Sequence, residues 1–241
     1  MRITNRFGLP APIVKAYGQE TGPGLDTETW TIRTTTLIRP PQITALELQH
    51  QDQLECDITS RLHIMAGTAF HEYLERRGGH VTDAEVGLKA RYGRWTVTGT
   101  ADWIDGPILS DWKTTNSAKI TWRDYHEWET QLNVYRALAL RSGFTGVIAL
   151  QVWAYIRDWT AAQAAKSDRY PQQPMVCVPL PTWTTEKAEN YILSQLRQIE
   201  AAIDGEPRPC TKSETWNGRR CANYCSVSRF CDQYQESLDD V

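Results

Sequence analysis

The segment GTADWIDGPILSDWK, residues 99–113, contains the pattern that decides the fold. Within it, Asp105-Gly106-Pro107 predicts a tight turn between two strands. Because side chains alternate along a strand, Asp111 and Lys113 point to the same face, about 7 Å apart. Asp102 ends the preceding strand, so its carboxylate can lie beside that of Asp111. The segment therefore predicts two carboxylates and a lysine that converge on one face of a sheet.

This combination of side chains is typical of a cation site. Two carboxylates repel each other unless a cation lies between them, and hard oxygen ligands suit Mg²⁺ or Mn²⁺. Lys113 can then orient the attacking water or offset the charge that develops on a phosphate. An isolated Asp-x-Lys is more often a surface ion pair, so the interpretation depends on the residues around the segment.

The flanking sequence predicts an alternation of helices and strands. Before the segment we expect two helices, and after it a long helix, a strand, a loop, a short strand and a late helix. A hairpin leads into the segment. Its first strand runs through Val86, Leu88 and Ala90, its turn is Tyr92-Gly93, and its second strand runs through Trp95, Val97 and Gly99. The predicted ranges are helices at 43–54, 64–74 (ended by Gly78-Gly79), 122–141 and 184–203, strands at 108–113, 147–156 and 175–178, and a loop at 160–173.

Three further residues add to the site. His71 lies on the helix before the sheet, and Gln131 and Tyr135 lie on the helix after it. Residues four positions apart share one helical face, so Gln131 and Tyr135 point the same way. Each of these residues alone carries little information, but together with Asp102, Asp111 and Lys113 they form an ordered series.

This series, His71, Gly99-x-x-Asp102, Asp111-x-Lys113 and Gln131-x-x-x-Tyr135, resembles the RecB-like branch of the PD-(D/E)xK nucleases, including CRISPR-associated and phage-encoded exonucleases. The resemblance implies that His71, Asp102 and Asp111 hold the divalent metal, with the backbone carbonyl of Trp112. It implies that Lys113 assists the nucleophilic water, and that Gln131 and Tyr135 position the site or the nucleic acid.

Four of the six cysteines, Cys210, Cys221, Cys225 and Cys231, fall within 22 residues. Clustered cysteines in a reducing compartment are more often metal ligands than disulfides, and four thiolates can hold Zn²⁺ or an iron–sulfur cluster. Spacing alone does not separate these metals. The resemblance favours a 4Fe-4S cluster over zinc, because a loose cysteine triplet at the end of a RecB-like nuclease is typical of that branch.

The fourth cluster ligand has two candidates. Cys56, which stands 15 residues before His71, occupies the place where many relatives carry the first cysteine. Cys210 belongs instead to a local set of four that is similar to phage-type members, and we select it. Cys177 lies in an apolar strand, where we expect a buried structural thiol.

Composition and charge limit the broad class. The chain has 241 residues, 41% hydrophobic and 23% charged, which is ordinary for a globular protein. No long apolar run or signal peptide is visible, so we expect a cytoplasmic protein without a membrane segment. The net charge is −3, and without the acidic residues of the last ten positions the sum becomes 26 − 25 = +1. This near-neutral body lacks the basic footprint usual for nucleic-acid binding.

The combined hypothesis is an α/β protein with a restriction-endonuclease-like core, in which helices flank a mixed central sheet. We expect an N-terminal arm and helix (1–60), a nuclease-like core (61–205), a cysteine cluster module (206–233) and an acidic tail (234–241). The expected function is metal-dependent hydrolysis of DNA, as an exonuclease on ends or single strands. The alternatives are a non-catalytic nucleic-acid-binding or assembly protein and a hydrolase of small esters.

Overall fold

The computed structural model describes residues 2–17, 24–77 and 84–239. None of the helices in these ranges is both long and apolar enough to cross a bilayer. In chain order the elements are β1 (Arg2–Thr4), α1 (Ala11–Tyr17), β2 (Leu25–Asp26), β3 (Thr31–Arg33), α2 (Thr34–Leu37), α3 (Pro41–Gln49), β4 (Glu55–Asp57), α4 (Leu62–Arg77), β5 (Ala84–Tyr92), β6 (Trp95–Asp105), β7 (Ile108–Thr115), α5 (Ser117–Thr121), α6 (His126–Arg141), β8 (Ala149–Ile156), α7 (Ala161–Ala164), β9 (Met175–Leu180), α8 (Thr185–Ile203), α9 (Arg219–Asn223) and α10 (Asp232–Asp239).

The chain forms two compact units. The first contains Met1–Gly24, Thr36–His63 and Ile192–Val241, and the second contains Leu25–Thr35 and Ile64–Tyr191. We call them the cysteine unit and the sheet unit, after the residues that each one carries.

The sheet unit is built on a mixed sheet, seven-stranded in the described part of the chain. Its strand order is β2-β3-β6-β7-β8-β9, and β5 pairs with β6. The pairs β3–β6 and β7–β8 are parallel, and the other pairs are antiparallel. Helix α6 packs against this sheet, and Leu132, Val134 and Leu138 of that helix are fully buried. The prediction of an α/β fold with a mixed sheet is confirmed.

Two tight turns connect the three central strands, as predicted. Tyr92 pairs with Trp95, and Asp105 pairs with Ile108, so each turn has two residues between the paired positions. The first residue of each turn is a glycine with positive φ, +61° for Gly93 and +53° for Gly106. A glycine adopts this left-handed conformation at little cost, which explains why these dipeptides signal hairpins.

Strand β6 pairs with a single strand along one edge and with two different strands along the other. Strand β5 pairs along nearly the whole of β6, from Trp95 to Trp103. On the opposite edge, β3 pairs with residues 96–98, and β7 pairs with residues 103–105. The stretch 99–102 lies between these two ladders, and it contains the Gly99-x-x-Asp102 motif. The predicted functional segment therefore lies where the sheet opens.

The helix after the segment is shorter than expected. We predicted one helix from about 122 to 141, but α6 begins at His126 and the separate short α5 precedes it. Arg123 has φ +53°, a conformation that cannot continue a right-handed helix. The helix predicted at 43–54 likewise ends early, at Gln49, and a short 3₁₀ turn follows at Gln51–Gln53.

The remaining predictions for the sheet unit have mixed outcomes. The strands predicted at 147–156 and 175–178 are found as β8 and β9, and a single turn of helix, α7, lies within the predicted loop. The helix α4 is found, while its predicted stop at Gly78-Gly79 lies outside the described residues. Cys177 is exposed, so the expectation of a buried thiol was wrong. Strand β9 is an edge strand of the sheet, and Cys177 lies on the more exposed face of this strand. The Sγ of Cys177 donates to Oε1 of Gln151 at 3.3 Å.

The cysteine unit holds a small parallel pair, β1–β4, and a separate apolar cluster. Ile43, Leu54 and Val227 form the buried centre of this cluster, and Cys210, Cys225, Leu46 and Phe230 pack around it. Helix α3 begins with Pro41 at its first position, where the missing amide hydrogen costs no helical bond. The late cysteines therefore pack against residues from the first quarter of the chain.

Candidate active site and cysteine cavity

Three acidic side chains lie in one row across β5, β6 and β7. The pairs Ala84–Trp103 and Val86–Ala101 place Glu85 opposite Asp102. The pair Trp103–Ser110, extended by one position, places Asp102 opposite Asp111. Directly opposite residues on neighbouring strands share a face of the sheet, and like charges at such positions destabilise it. The row therefore favours a cation between the carboxylates.

His71 of α4 converges with Glu85 and Asp102 of this row, whereas Asp111, a predicted ligand, lies outside this convergent group and pairs with Lys113. Its Nδ1 lies 3.5 Å from Oδ1 of Asp102, and its Nε2 lies 2.9 Å from the backbone oxygen of Trp112. Ligand atoms of His71, Glu85 and Asp102 all lie within 4.8 Å of one another. The second oxygen of Asp102, Oδ2, accepts a hydrogen bond of 2.6 Å from the backbone nitrogen of Trp112, which fixes the carboxylate. These three side chains can hold a divalent cation through oxygen and imidazole ligands.

Sequence reasoning missed Glu85. The residue has φ +51°, which is unusual for a non-glycine residue and marks a local distortion of β5 opposite Asp102. Nothing in the local sequence indicates this conformation. A signal was nevertheless available in the register: the tight turn at Gly93 fixes the pairing of β5 with β6, and counting back from it places Glu85 opposite Asp102.

Asp111 and Lys113 form a buried ion pair. The Nζ of Lys113 lies 2.6 Å from Oδ2 of Asp111, and the Asp111 side chain is only 2% exposed. Burial raises the pKa of Asp111, and the charge of Lys113 opposes this rise. Burial alone would lower the pKa of Lys113, but the carboxylate of Asp111 outweighs it and the pKa is raised. Lys113 therefore remains a cation beside the carboxylate row.

The electrostatic environment also acts on His71. Its hydrogen bond with Asp102 raises the pKa of the imidazole, while burial acts in the opposite direction. A protonated imidazole cannot bind a metal, so a proton and a divalent cation compete for this side chain. The donor set of the row fits Mg²⁺ or Mn²⁺, because carboxylate oxygens dominate it.

Gln131 and Tyr135 lie on one face of α6, as predicted. The Nε2 of Gln131 donates a hydrogen bond of 2.9 Å to the hydroxyl oxygen of Tyr135. Tyr135 is 5% exposed, and burial raises the pKa of its hydroxyl. Its ring lies against the backbone of Gly99 in the opening of β6. The structure thus brings both helical residues to the same part of the sheet as Asp111 and Lys113.

The four late cysteines line a single cavity of about 150 Å³ in the cysteine unit. This volume is many times what one water molecule needs, since a single water fits in about 10–15 Å³. Among the described residues, no three cysteine sulfur atoms lie within 4.8 Å of one another, so the thiols do not form a closed metal site in this structure. Cys56 is not among the residues that line the cavity, and its Sγ lies 3.1 Å from the Ser60 hydroxyl.

Burial changes the acidity of these thiols. It raises the pKa of Cys210 to about 12, with a further contribution from the charge of Glu214. The pKa values of Cys221 and Cys225 are raised as well, again mainly by burial. Two glutamines hold the backbone of Cys210: Oε1 of Gln42 and Oε1 of Gln233 accept from its amide at 3.0 and 2.9 Å. The neutral thiols must lose protons before they can bind a metal.

Comparison with known proteins decides the family. The model of the PD-(D/E)XK nuclease superfamily matches residues 36–232. The chain belongs to this superfamily. The match includes the whole carboxylate row and extends to the last cysteine of the cavity, and the mixed sheet with its flanking helices fits the restriction-endonuclease-like fold.

One solved structure adds to the evidence for the fold. The crystal structure of SSO0001 is similar with a TM-score of 0.56 and 19% identity, over 92% of this chain and 93% of that chain. The crystal structure of a "Putative exonuclease" from Eubacterium rectale is more distant, with a TM-score of 0.39, 12% identity and coverage of 74% and 60%. No curated protein matches the chain. Membership of a nuclease superfamily implies a nucleic-acid substrate.

Proposed function

We propose that this protein is an Mg²⁺- or Mn²⁺-dependent nuclease that hydrolyses phosphodiester bonds in DNA, as an exonuclease acting on ends or single strands. One observation carries the proposal: a nuclease-superfamily chain aligns Asp102 and Asp111 in one row, with His71 and Lys113 at their sides. A merely structural ion pair would not require a second buried carboxylate beside the first. Asp102 and Asp111 are 7% and 2% exposed.

Each residue of the site has a proposed role. His71, Asp102 and Asp111 hold the divalent cation with the backbone oxygen of Trp112, and Glu85 adds a ligand that the sequence did not reveal. When bound, the cation supplies positive charge that stabilises the negative charge developing on the phosphate. Asp102 is held for this task by its hydrogen bond from the Trp112 amide.

Lys113 acts on the reaction itself. Its ammonium group stays protonated and is held in place by Asp111. A quarter of the side chain is exposed, so the ammonium group can contact a substrate. In this position it orients the attacking water and offsets charge on the phosphate. Gln131 and Tyr135 position the site, because Tyr135 fills the opening of β6 beside Gly99.

We further propose that Cys210, Cys221, Cys225 and Cys231 hold a structural 4Fe-4S cluster. One observation supports it: all four line one cavity. Zinc remains the alternative occupant, because four thiolates can also hold that ion. The cluster would hold the C-terminal segment against α3, and it takes no part in hydrolysis.

A cleavage assay tests the proposed nuclease function. The purified protein is incubated with end-labelled linear DNA, single-stranded and duplex, and with closed circles, in Mg²⁺, Mn²⁺ or EDTA, beside an RNA substrate and a panel of small esters. Metal-dependent loss of linear DNA, with circles left intact, is expected. The Asp102→Asn and Asp111→Asn variants, purified identically, exclude a contaminating enzyme and should be inactive. Inactivity of the wild-type protein toward all nucleic acids in both metals would overturn the proposal.

A further inference from the structure

Two aromatic rings stack at the surface of the sheet unit. The ring centroids of Phe70 and Tyr155 lie 5.6 Å apart, and the ring planes are nearly parallel at 19°. Phe70 is half-buried on α4, while Tyr155 on β8 is 40% exposed. Strands β7 and β9 pair with β8 on either side, so Tyr155 is exposed on a face of the sheet and not at an edge. An exposed tyrosine backed by a second ring offers a flat aromatic platform.

This platform is linked to the candidate site through His71. Phe70 precedes His71 in the chain, and the centroids of their rings are 6.4 Å apart. Tyr155 pairs with Thr114, the residue that follows Lys113. The close approach of α4 fixes this arrangement: a β-carbon at Gly67 would lie 3.6 Å from the Thr114 hydroxyl. Tyr155 therefore lies on the face of the sheet that carries Thr114, opposite the side chains of Asp111 and Lys113, and Phe70 links it to His71 of the site.

Charged side chains lie close to the ends of β7 and β8. Arg157 is exposed, and its backbone amide donates to the Thr115 oxygen at 2.9 Å, which places it beside the end of β7. Asp158 accepts hydrogen bonds of 2.7 and 2.9 Å from the amide and hydroxyl of Ser117, so it anchors the start of α5 nearby. Helix α5 carries Lys119. Arg157 therefore places one cationic side chain two positions after Tyr155, while the ammonium group of Lys119 lies over the Trp128 ring at 5.1 Å.

We propose that Tyr155, supported by Phe70, stacks against one unpaired base of the strand that enters the active site. This inference rests on the proposed nuclease function and adds the substrate form to it. A base has two flat faces, and stacking on an aromatic side chain requires one of them to be free. Inside a duplex both faces are covered by neighbouring bases, so the subsite selects single strands or frayed ends without reading sequence.

The chemistry of the pair favours this occupant. A phosphate group would be bound by cations, and a protein partner would require a wider apolar surface than two rings. A nucleobase matches the size of one exposed ring, and the sugar–phosphate chain that follows it can meet Arg157. Loss of one stacked base weakens single-strand binding about tenfold.

The test measures binding without cleavage, in EDTA, by fluorescence anisotropy. The probes are a labelled single-stranded oligonucleotide, a blunt duplex of the same length, and a single strand carrying 2-aminopurine, whose fluorescence decreases on stacking. Tyr155→Ala should weaken single-strand binding about tenfold, leave duplex binding unchanged and abolish the 2-aminopurine signal. Tyr155→Phe keeps the ring and should behave as the wild type, which separates stacking from misfolding. Tyr73→Ala, a 64% exposed tyrosine of α4, is the control and should change nothing.

The outcomes are distinct. If Tyr155→Ala weakens single-strand and duplex binding equally, or keeps the 2-aminopurine signal, the stacking subsite is overturned while the nuclease proposal stands. If the wild-type protein cleaves no nucleic acid in Mg²⁺ or Mn²⁺, the nuclease proposal falls, and the subsite falls with it.

Discussion

The ring of Tyr135 lies where residue 99 has no side chain. A β-carbon at Gly99 would be 2.6 Å from Cε1 of Tyr135 and 3.0 Å from the hydroxyl oxygen of Thr34. Both neighbours are almost fully buried, so neither can move aside easily. The glycine and the tyrosine of the two motifs, 36 positions apart in the sequence, thus form one packing unit at the opening of β6.

The first prediction follows from this contact. Gly99→Ala should displace Tyr135, reduce the cleavage rate and destabilise the protein by about 1–3 kcal/mol, because added volume in a packed site forces its neighbours to shift. Urea unfolding and cleavage assays measure both effects. Gly87→Ala is the matched control, since a β-carbon at Gly87 in β5 meets nothing within 4 Å. Equal stability of the two variants would contradict the packing argument.

The second prediction concerns Glu85. Replacement by Asn keeps a residue that tolerates positive φ but removes the charge opposite Asp102. The Glu85→Asn variant should still fold, which urea unfolding without metal checks. Its affinity for Mn²⁺, measured by calorimetry, should fall about tenfold or more. Glu186→Gln, at the exposed first turn of α8, is the control. Unchanged Mn²⁺ affinity in Glu85→Asn would remove this residue from the ligand set.

The third prediction separates chemistry from binding at Lys113. Lys113→Ala should lower the maximal cleavage rate by about 100-fold or more, as expected for the loss of one positioned electrostatic group. DNA affinity in EDTA should change little, and Lys89→Ala, an exposed lysine of β5, should leave both quantities unchanged. A normal maximal rate combined with weaker DNA binding would instead make Lys113 a phosphate anchor.

The fourth prediction addresses the cysteine cavity. Protein purified without oxygen should be brown and contain about four irons per chain. Cys210→Ala should bleach the colour, whereas Cys56→Ala should not, because only Cys210 lines the cavity. Cys177→Ala, on β9, is a second control. A colourless wild-type protein with one bound zinc would refute the cluster, and a colourless Cys56→Ala variant would reassign the fourth ligand.

The fifth prediction is a pH dependence of the metal-free protein. The folded state raises the pKa of Cys210 to about 12 and also raises those of Cys221 and Cys225. Folded thiols therefore hold protons more tightly than unfolded ones, whose pKa is about 8.5. Their contribution to stability is complete below about pH 8.5 and is lost as pH rises toward the folded values. Urea unfolding with a chelator should show this loss, and replacing all three cysteines with serine should reduce it.

Local sequence signals sufficed for the centre of the fold. Asp102, Asp111 and Lys113 lie on strands joined by a two-residue turn, so alternation and turn chemistry alone indicate which side chains share a face. The pair Gln131 and Tyr135 depends only on helical periodicity. The family resemblance added the role of His71, which lies 31 positions before Asp102 and could not be placed by spacing.

Other features depend on contacts that the sequence does not announce. Strand β3 has three residues, and its parallel pairing with β6 joins positions 65 apart, so no periodicity reveals it. Arg123 ended a continuous helical pattern through a backbone conformation that its residue type does not favour. Cys177 is exposed because it lies on the open face of β9, whereas Val178 and Leu180 on the other face are buried, and an apolar run alone does not show which face is covered.

The placement of the acids on three separate strands has a consequence for folding. Glu85, Asp102 and Asp111 come from β5, β6 and β7, so neither hairpin alone contains more than two of them. A chain in which only one hairpin has formed would bring together at most two of these carboxylates. The proposed metal site therefore exists only once the three-stranded meander is complete.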